Sequence, residues 1–315
     1  MKKLDIEDKA LRPKTFREFV GQDHVKPNLE IFVASARERK AALDHVLLSG
    51  PPGLGKTTLS EIIAHELGTR LVVVFAPSLK STGELCAILA SLQDRDVLFL
   101  DEIHALSHDV EEILYPAMED GVLKFTSNNT PIEIRLNQFT LIGATTRAGM
   151  LQRPLRDRFG INVEMQPYTD EQLSKIVRTS AEKLGLVATA EGAMELARRT
   201  RGVPRAANKL LRRVRDFAAH AKTKTMDATL VQQSCARLGI DSSGLDINMR
   251  RYLEILDQKQ KAVAAKTMVS ILGESTDTVE DVIEPFLMTL GYIEKTPKGR
   301  VLTQAGANHI RVCTS

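Results

Sequence analysis

Cysteine is scarce in this chain of 315 residues: Cys86, Cys235 and Cys313 stand far apart, with no close cysteine or histidine partner. That spacing excludes a disulfide framework and a structural zinc, and suits reduced, structural thiols. The seven histidines show no metal-ligand spacing either. No apolar run approaches the roughly 18 residues that a membrane span requires. Residues 1–10 alternate Lys, Asp and Glu, lacking both the apolar stretch of a secretory signal and the acid-poor character of a transit peptide. A membrane protein is thereby excluded and a cytoplasmic location expected. The chain shows no internal repeat and no low-complexity segment.

What is present reads as ordinary globular protein, 43% hydrophobic and 26% charged. At about 150 residues per domain the length suggests two or three domains. The net charge of +3 is unevenly spread. Residues 1–164 hold 20 Lys/Arg against 23 Asp/Glu, residues 165–240 hold 14 against 7, and residues 241–315 hold 9 against 10. A basic middle fits either an anionic partner such as nucleic acid or a solvated helical face.

The first part alternates apolar runs at 45–49, 71–75, 97–100, 139–143 and 161–165 with helical spacing over 57–67, 82–91 and 109–118. This is the pattern of an α/β domain with a mostly parallel sheet. The run Leu71-Val72-Val73-Val74-Phe75 lacks polar alternation, which predicts a strand covered on both faces. Ser81 and Ser107 are placed as helix N-caps. Residues 122–125 and 132–136 flank the turn residues Ser127-Asn128-Asn129-Thr130-Pro131 and predict a hairpin inserted before the fourth strand. Four helical stretches over 170–184, 191–199, 205–221 and 227–238 predict a bundle. Beyond Asp241-Ser242-Ser243-Gly244, which reads as a polar linker, three helical stretches precede a basic hairpin, the winged-helix order. The expected domains are therefore 1–166, 167–241 and 242–315.

Chemistry enters with Gly50-Pro51-Pro52-Gly53-Leu54-Gly55-Lys56-Thr57, a G-x-x-x-x-G-K-T run between an apolar strand and a helix. Glycines such as Gly53 and Gly55 let successive N–H groups turn toward phosphate oxygens, and the helix N-terminus adds a favourable dipole. Lys56 is suited to neutralise β/γ-phosphate charge, and the Thr57 hydroxyl to hold Mg²⁺. The later run Val97-Leu98-Phe99-Leu100-Asp101-Glu102 puts two carboxylates at the end of a strand. There Asp101 can reach the metal and Glu102 can orient or deprotonate an attacking water.

With these residues in view, the chain resembles the AAA+ ATPases and, among them, the RuvB motors that drive branch migration of Holliday junctions. The words that carry the resemblance are Leu11-Arg12-Pro13-Lys14-Thr15-Phe16, Val20-Gly21-Gln22, Gly50 through Thr58, Leu100-Asp101-Glu102-Ile103-His104, Met118-Glu119-Asp120, Gly143-Ala144-Thr145-Thr146-Arg147-Ala148-Gly149, Pro154-Leu155-Arg156-Asp157-Arg158-Phe159-Gly160, Arg201-Gly202-Val203-Pro204-Arg205 and the wing from Gly291 to Arg300. The resemblance implies an AAA+ P-loop domain, a helical lid and a winged helix, using ATP/ADP and Mg²⁺. It implies adenine contacts from Leu11, Arg12 and Tyr168, and further nucleotide contacts from Thr58, Glu119, Asp120 and Gly121. Thr145 matches a sensor that couples the γ-phosphate to Glu102, Arg158 an arginine finger acting on a neighbouring subunit, and Arg205 a second sensor on the lid. Arg156 is the alternative finger. The partners so implied are the duplex arms of four-way junction DNA in recombination and repair, and copies of the chain itself in a hexameric ring.

On the wing tip Lys295, Lys298 and Arg300 form a basic cluster, and the family's DNA contacts match Lys295 and Arg300. Basic side chains on a protruding turn can track phosphates without reading sequence, although the same turn on a protein-binding winged helix would look alike. The chain departs from the family at three places. Residues 121–138 are shorter and carry a polar tip in place of the hairpin that docks RuvA, leaving a RuvA-like adaptor open. Gln258-Lys259-Gln260-Lys261 replaces a glycine-rich turn, and Lys295 and Lys298 replace arginines. A nucleotide-switched DNA-binding protein and a clamp-loader-like remodeller are the competing functional classes.

Overall fold

The computed structural model describes residues 10–127 and 130–314, and the chain divides after Tyr168 into two compact units. In the first unit the order is α1 (Lys26–Arg39), β1 (Val46–Ser49), α2 (Lys56–Leu67), β2 (Leu71–Phe75), α3 (Thr82–Ala90), β3 (Asp96–Asp101), α4 (His108–Glu119), β4 (Val122–Ser127), β5 (Thr130–Arg135), β6 (Phe139–Thr145), α5 (Arg153–Arg156) and β7 (Ile161–Glu164). Five strands form a sheet of order β2-β3-β6-β1-β7. The pairings are all parallel, with Leu48 opposite both Ala144 and Val163, and Phe99 opposite Val73 and Ile142. The apolar runs at 45–49, 97–100 and 139–143 become the inner strands: β6 is buried along its whole length, as is β3 as far as Leu100. Each fully buried leucine or phenylalanine there contributes about 1.5–3 kcal/mol.

The expectation that β2 is covered on both faces is not met. As the edge strand it packs Val72 and Val74 against the core, while Val73 and Phe75 stay 57% and 54% exposed. The apolar run at 71–75 thus reflects strand preference rather than two-sided burial. Ser81 caps α3, accepting the Glu84 N–H at 3.3 Å, but the Ser107 side chain makes no cap bond to α4. The inserted hairpin is present, with Val122 opposite Arg135 and Ser127 opposite Thr130. The Asn128-Asn129 tip lies outside the described residues.

The second unit runs α6 (Asp170–Lys183), β8 (Val187–Ala188), α7 (Ala190–Arg198), α8 (Pro204–His220), β9 (Thr225–Met226), α9 (Ala228–Arg237), α10 (Ile247–Lys259), α11 (Ala265–Leu272), α12 (Thr276–Thr278), a π-turn at Val279–Ile283, α13 (Glu284–Thr289), β10 (Ile293–Thr296), β11 (Gly299–Leu302) and α14 (Gln304–Thr314). α6 opens with a reciprocal capping box between Thr169 and Gln172. The winged helix has its own core around Met249, Tyr252, Leu253, Met268 and Leu287.

The segment 241–244, expected as a linker, is a tight junction that joins bundle and winged helix into one unit. Asp241 Oδ1 accepts the N–H groups of Ser243 and Leu245 at 2.9 Å, and its other oxygen lies 3.0 Å from His309 Nε2. Arg201 donates to Gly244 O at 3.2 Å and pairs with Asp246 at 3.0 Å. Gly244 has φ of +80°, and a Cβ there would lie 2.7 Å from the Arg199 carbonyl oxygen. Gly244→Ala is therefore expected to cost about 1–3 kcal/mol, read as a lowered Tm in thermal unfolding; an unchanged Tm would contradict this packing.

Among the described residues no helix is long and apolar enough to cross a membrane.

Candidate nucleotide site and wing

The parallel order places the loop after β1 between the ends of β6 and β7, at the carboxyl edge where parallel sheets bind ligands. Glycine is required there: Gly50 has φ of +134°, and a Cβ on it would meet Met165 O at 2.6 Å. Gly53 and Gly55 also take positive φ, of 81° and 105°, just before Lys56 opens α2. The Lys56 ammonium turns back onto the loop, donating to Gly50 O at 2.6 Å and Pro51 O at 3.0 Å. Burial lowers its pKa, and the carboxylates of Glu102 and Asp101 act in the opposite direction. Those three charges therefore share one corner of the unit. Thr57 and Thr58 stand half-buried in the first turn of α2.

Asp101 is the last residue of β3, and Glu102 follows with the left-handed φ of 55°. Such a conformation is uncommon for a residue with a Cβ. Glu102 Oε2 accepts the Thr146 N–H at 3.3 Å and its hydroxyl at 3.1 Å, and lies 3.3 Å from His104 Nδ1. Thr145, matched to the sensor that acts on Glu102, does not make that contact. As the fully buried last residue of β6 it turns inward, accepting the Arg147 N–H at 2.9 Å and lying 2.9 Å from His104 Nδ1. The direct contact belongs to the next residue, Thr146, and His104 stands between Thr145 and Glu102. Neither His104 nor Thr146 was singled out by the sequence, although both fall inside words that carried the resemblance.

Around the expected adenine side, Leu11 and Tyr168 are buried. The Tyr168 hydroxyl donates to Leu54 O at 3.2 Å, and burial pushes its pKa up to about 12. Arg12 pairs with Glu61 of α2 at 2.8 Å. Gln22 fastens this edge by a two-way bond to Gln166, giving its amide N–H to the carbonyl at 2.7 Å and accepting the backbone N–H at 3.0 Å. Its role was not visible in the sequence, where it formed part of a recognition word only.

Arg158 is held within its own chain. Its guanidinium lies 2.8 Å from Glu119 Oε2 and 4.6 Å from the centre of the Tyr115 ring, and it donates to Pro154 O at 2.6 Å. Nearby, Asp157 pairs with Arg153 at 3.4 Å. The Arg158 Nε, the Tyr115 hydroxyl and one Glu111 oxygen are buried without a hydrogen-bond partner. Arg156 is exposed. Asp120 pairs with Lys124 at 3.4 Å, and Gly121 takes φ of +64° before the hairpin. In the second unit Arg205 is exposed in the first turn of α8.

The wing cations do not form one exposed cluster. Glu284, fully buried at the start of α13, accepts from Arg300 Nε at 2.8 Å and from Tyr252 at 3.0 Å, with Lys295 Nζ 2.9 Å away. Burial alone would raise the pKa of Glu284, but bonds from Arg300, Lys295 and Tyr252 outweigh it and hold it below the ordinary value. Lys298 at the turn is exposed. The pairing follows from the strand register: Lys295 and Arg300 stand opposite each other across the hairpin and share one face.

Comparison with known proteins agrees with this architecture. Residues 11–165 match the family model of the Holliday junction DNA helicase RuvB P-loop domain, residues 168–241 that of the RuvB AAA lid domain, and residues 242–311 that of the RuvB C-terminal winged helix domain. A structure of Thermotoga maritima RuvB, described as a Holliday junction branch migration motor, is 41% identical, covers 96% of this chain and 98% of its own, and superposes with a TM-score of 0.87. A point mutant of the same protein is 41% identical over 95% of this chain and 98% of its own, with a TM-score of 0.88. Three domain matches in the same order, and such likeness over nearly the whole length of both chains, make this chain a member of the RuvB family.

Proposed function

We propose that this protein is an ATP-driven motor that migrates Holliday junctions in recombination and repair, working as a hexameric ring on the duplex arms. The observation that carries this reading is the convergence of Lys56, Asp101 and Glu102 at the carboxyl edge of the sheet in a chain of this family. Phosphoryl transfer is mainly positioning and charge stabilisation, and these groups supply both. Lys56 exchanges the carbonyls of Gly50 and Pro51 for phosphate oxygens. Gly53, Gly55 and Thr58 line the loop, while Leu11, Arg12 and Tyr168 border the base. Glu102, released from Thr146, accepts a proton from the attacking water.

Thr57 and Asp101 suit Mg²⁺, since a hydroxyl and a carboxylate are hard oxygen donors. Among the described residues no group of three His, Cys, Asp or Glu could hold a metal by itself, so the remaining ligands come from phosphate and water. When bound, the ion neutralises charge developing on the phosphate oxygens. Arg158 faces the nucleotide of a neighbouring subunit, Glu119, Asp120 and Gly121 add nucleotide contacts, and Arg205 reports nucleotide state from the lid. Thr145 supports Glu102 through His104, with Thr146 as the direct contact. A RuvA-like adaptor would engage the β4–β5 hairpin.

Purified protein with junction DNA is expected to hydrolyse ATP at steady state, and Lys56→Ala to abolish hydrolysis. Retained turnover in that variant would remove Lys56 from the site.

A further inference from the structure

Between α7 and α8 the lid carries an arginine that reaches through the junction into the winged helix. Arg201 and Gly202 both take left-handed backbone, with φ of +60° and +70°, and turn the chain toward Pro204, the first residue of α8. Gly202 adopts this conformation freely, whereas for Arg201 it is strained. Glycine would make the turn at position 201 without that strain, so what the arginine adds there is its side chain.

The guanidinium grips the winged helix and its approach at three places. Nε donates to Gly244 O at 3.2 Å, a terminal nitrogen donates to Asp246 Oδ2 at 3.0 Å, and the central carbon lies 5.0 Å from the centre of the Phe286 ring. Asp246 is the N-cap of α10, accepting the Met249 N–H at 3.0 Å. Phe286 belongs to α13 and packs against the winged-helix core. Two residues before it on that helix, Glu284 holds Lys295 and Arg300, the wing positions that match the family's DNA contacts. At the other end, Arg201 stands four residues before Arg205, which matches the second sensor in the first turn of α8. Contacts therefore run without a gap from the sensor's turn on the lid, through Arg201 and α13, to the wing.

Other fastenings of the junction do not use this side chain. Arg199 Nε donates to Asp241 O at 3.2 Å, and His309 Nε2 lies 3.0 Å from Asp241 Oδ2. These keep bundle and winged helix joined when Arg201 is altered, whereas Arg201 ties the start of α8 to α13.

We infer that Arg201, with Asp246 and Phe286 as its counterparts, is the positioning residue that couples nucleotide state in the lid to the DNA affinity of the winged helix. This rests on the reading of the chain as an ATP-driven DNA motor. When Arg205 engages nucleotide the start of α8 shifts, and a planar guanidinium stacked on a ring and bonded to two oxygens carries that shift into α13. Coupling of this kind is reciprocal, so junction DNA changes nucleotide affinity by the same factor.

The test is the affinity of the full-length protein for a labelled four-way junction, with and without the non-hydrolysable nucleotide AMP-PNP and Mg²⁺, at protein concentrations where sedimentation gives the same assembly in both. Wild type, Arg201→Gly and Phe286→Leu are compared. Wild-type affinity is expected to change with nucleotide about 5- to 150-fold, the usual range of coupling between two sites. Arg201→Gly, whose backbone suits the turn, and Phe286→Leu, which keeps an apolar group against the core, are expected to bind junction alone and AMP-PNP alone as wild type does. Both are expected to hydrolyse ATP without DNA at the wild-type rate and to keep Tm, while the affinity ratio falls to about one. A wild-type ratio in either variant would overturn the coupling role alone, as would a lowered Tm with both affinities lost together, the mark of a merely structural residue. Wild type that binds the junction equally with and without nucleotide would overturn it too. Wild type that binds no junction in either state would overturn the DNA-motor reading, and the coupling role with it.

Discussion

Arg158→Ala is expected to slow ATP hydrolysis about 10³- to 10⁵-fold, the worth of an arginine finger supplied to a phosphoryl-transfer site, while nucleotide binding persists. The Arg158 guanidinium is pinned by Glu119 and by the face of Tyr115, both on α4, and its Nε is buried without a partner. A cation so placed is pre-positioned, and only its charge remains to be delivered. Mixing Arg158→Ala with Lys56→Ala, each inactive alone, is expected to recover part of the activity, because the proposed ring, when mixed, would contain interfaces with an intact lysine on one side and an intact arginine on the other. Arg156, exposed nearby, is the comparison. Wild-type turnover in Arg158→Ala, or the loss appearing in Arg156→Ala instead, would contradict this assignment.

The second large effect is expected at Glu102. Glu102→Gln preserves size and most hydrogen-bonding capacity but cannot take a proton, so hydrolysis should fall about 10²- to 10⁴-fold, the usual worth of general base catalysis. The carboxylate now engages the N–H and hydroxyl of Thr146 and lies near His104, while Lys56 is bonded to its own loop. In the proposed mechanism both groups change partners, and ATP would offer Lys56 phosphate oxygens in place of its loop carbonyls. Binding of a fluorescent nucleotide by Glu102→Gln at wild-type affinity, together with absent single-turnover hydrolysis, is the expected pair of results. Hydrolysis at the wild-type rate would remove Glu102 as the base.

The parts of this molecule legible in the sequence are those written in local pattern. The phosphate loop, the strand ending in Asp101, and the helices from Asp170 to Arg237 each announce themselves through periodicity or a turn signal within about a dozen residues. α1 did not, since exposed Ile31 and Phe32 put apolar residues outside the buried face of Leu29, Val33 and Ala36 and blur its periodicity. The edge position of β2 was hidden for another reason: an apolar run reports preference for extended backbone, and only the strand order decides which faces are covered. The same limit explains the site. Thr145 and Thr146 are neighbours of identical type, and which one meets Glu102 depends on where β6 ends. On the wing, the pairing of Arg300 with Glu284 spans 16 residues and two elements, so that a basic cluster in the sequence became in part a buried ion network. Asp241-Ser242-Ser243-Gly244 has a linker's composition, yet its polar groups close a turn against Arg201 and His309.

The most direct test of the whole account is movement of a synthetic four-way junction by the purified protein, with cognate RuvA supplied and Glu102→Gln as control. The account predicts branch migration that requires ATP hydrolysis and is lost in the variant. Wild-type protein that hydrolyses ATP and leaves the junction in place would contradict it, separating the ATPase from the motor proposed here.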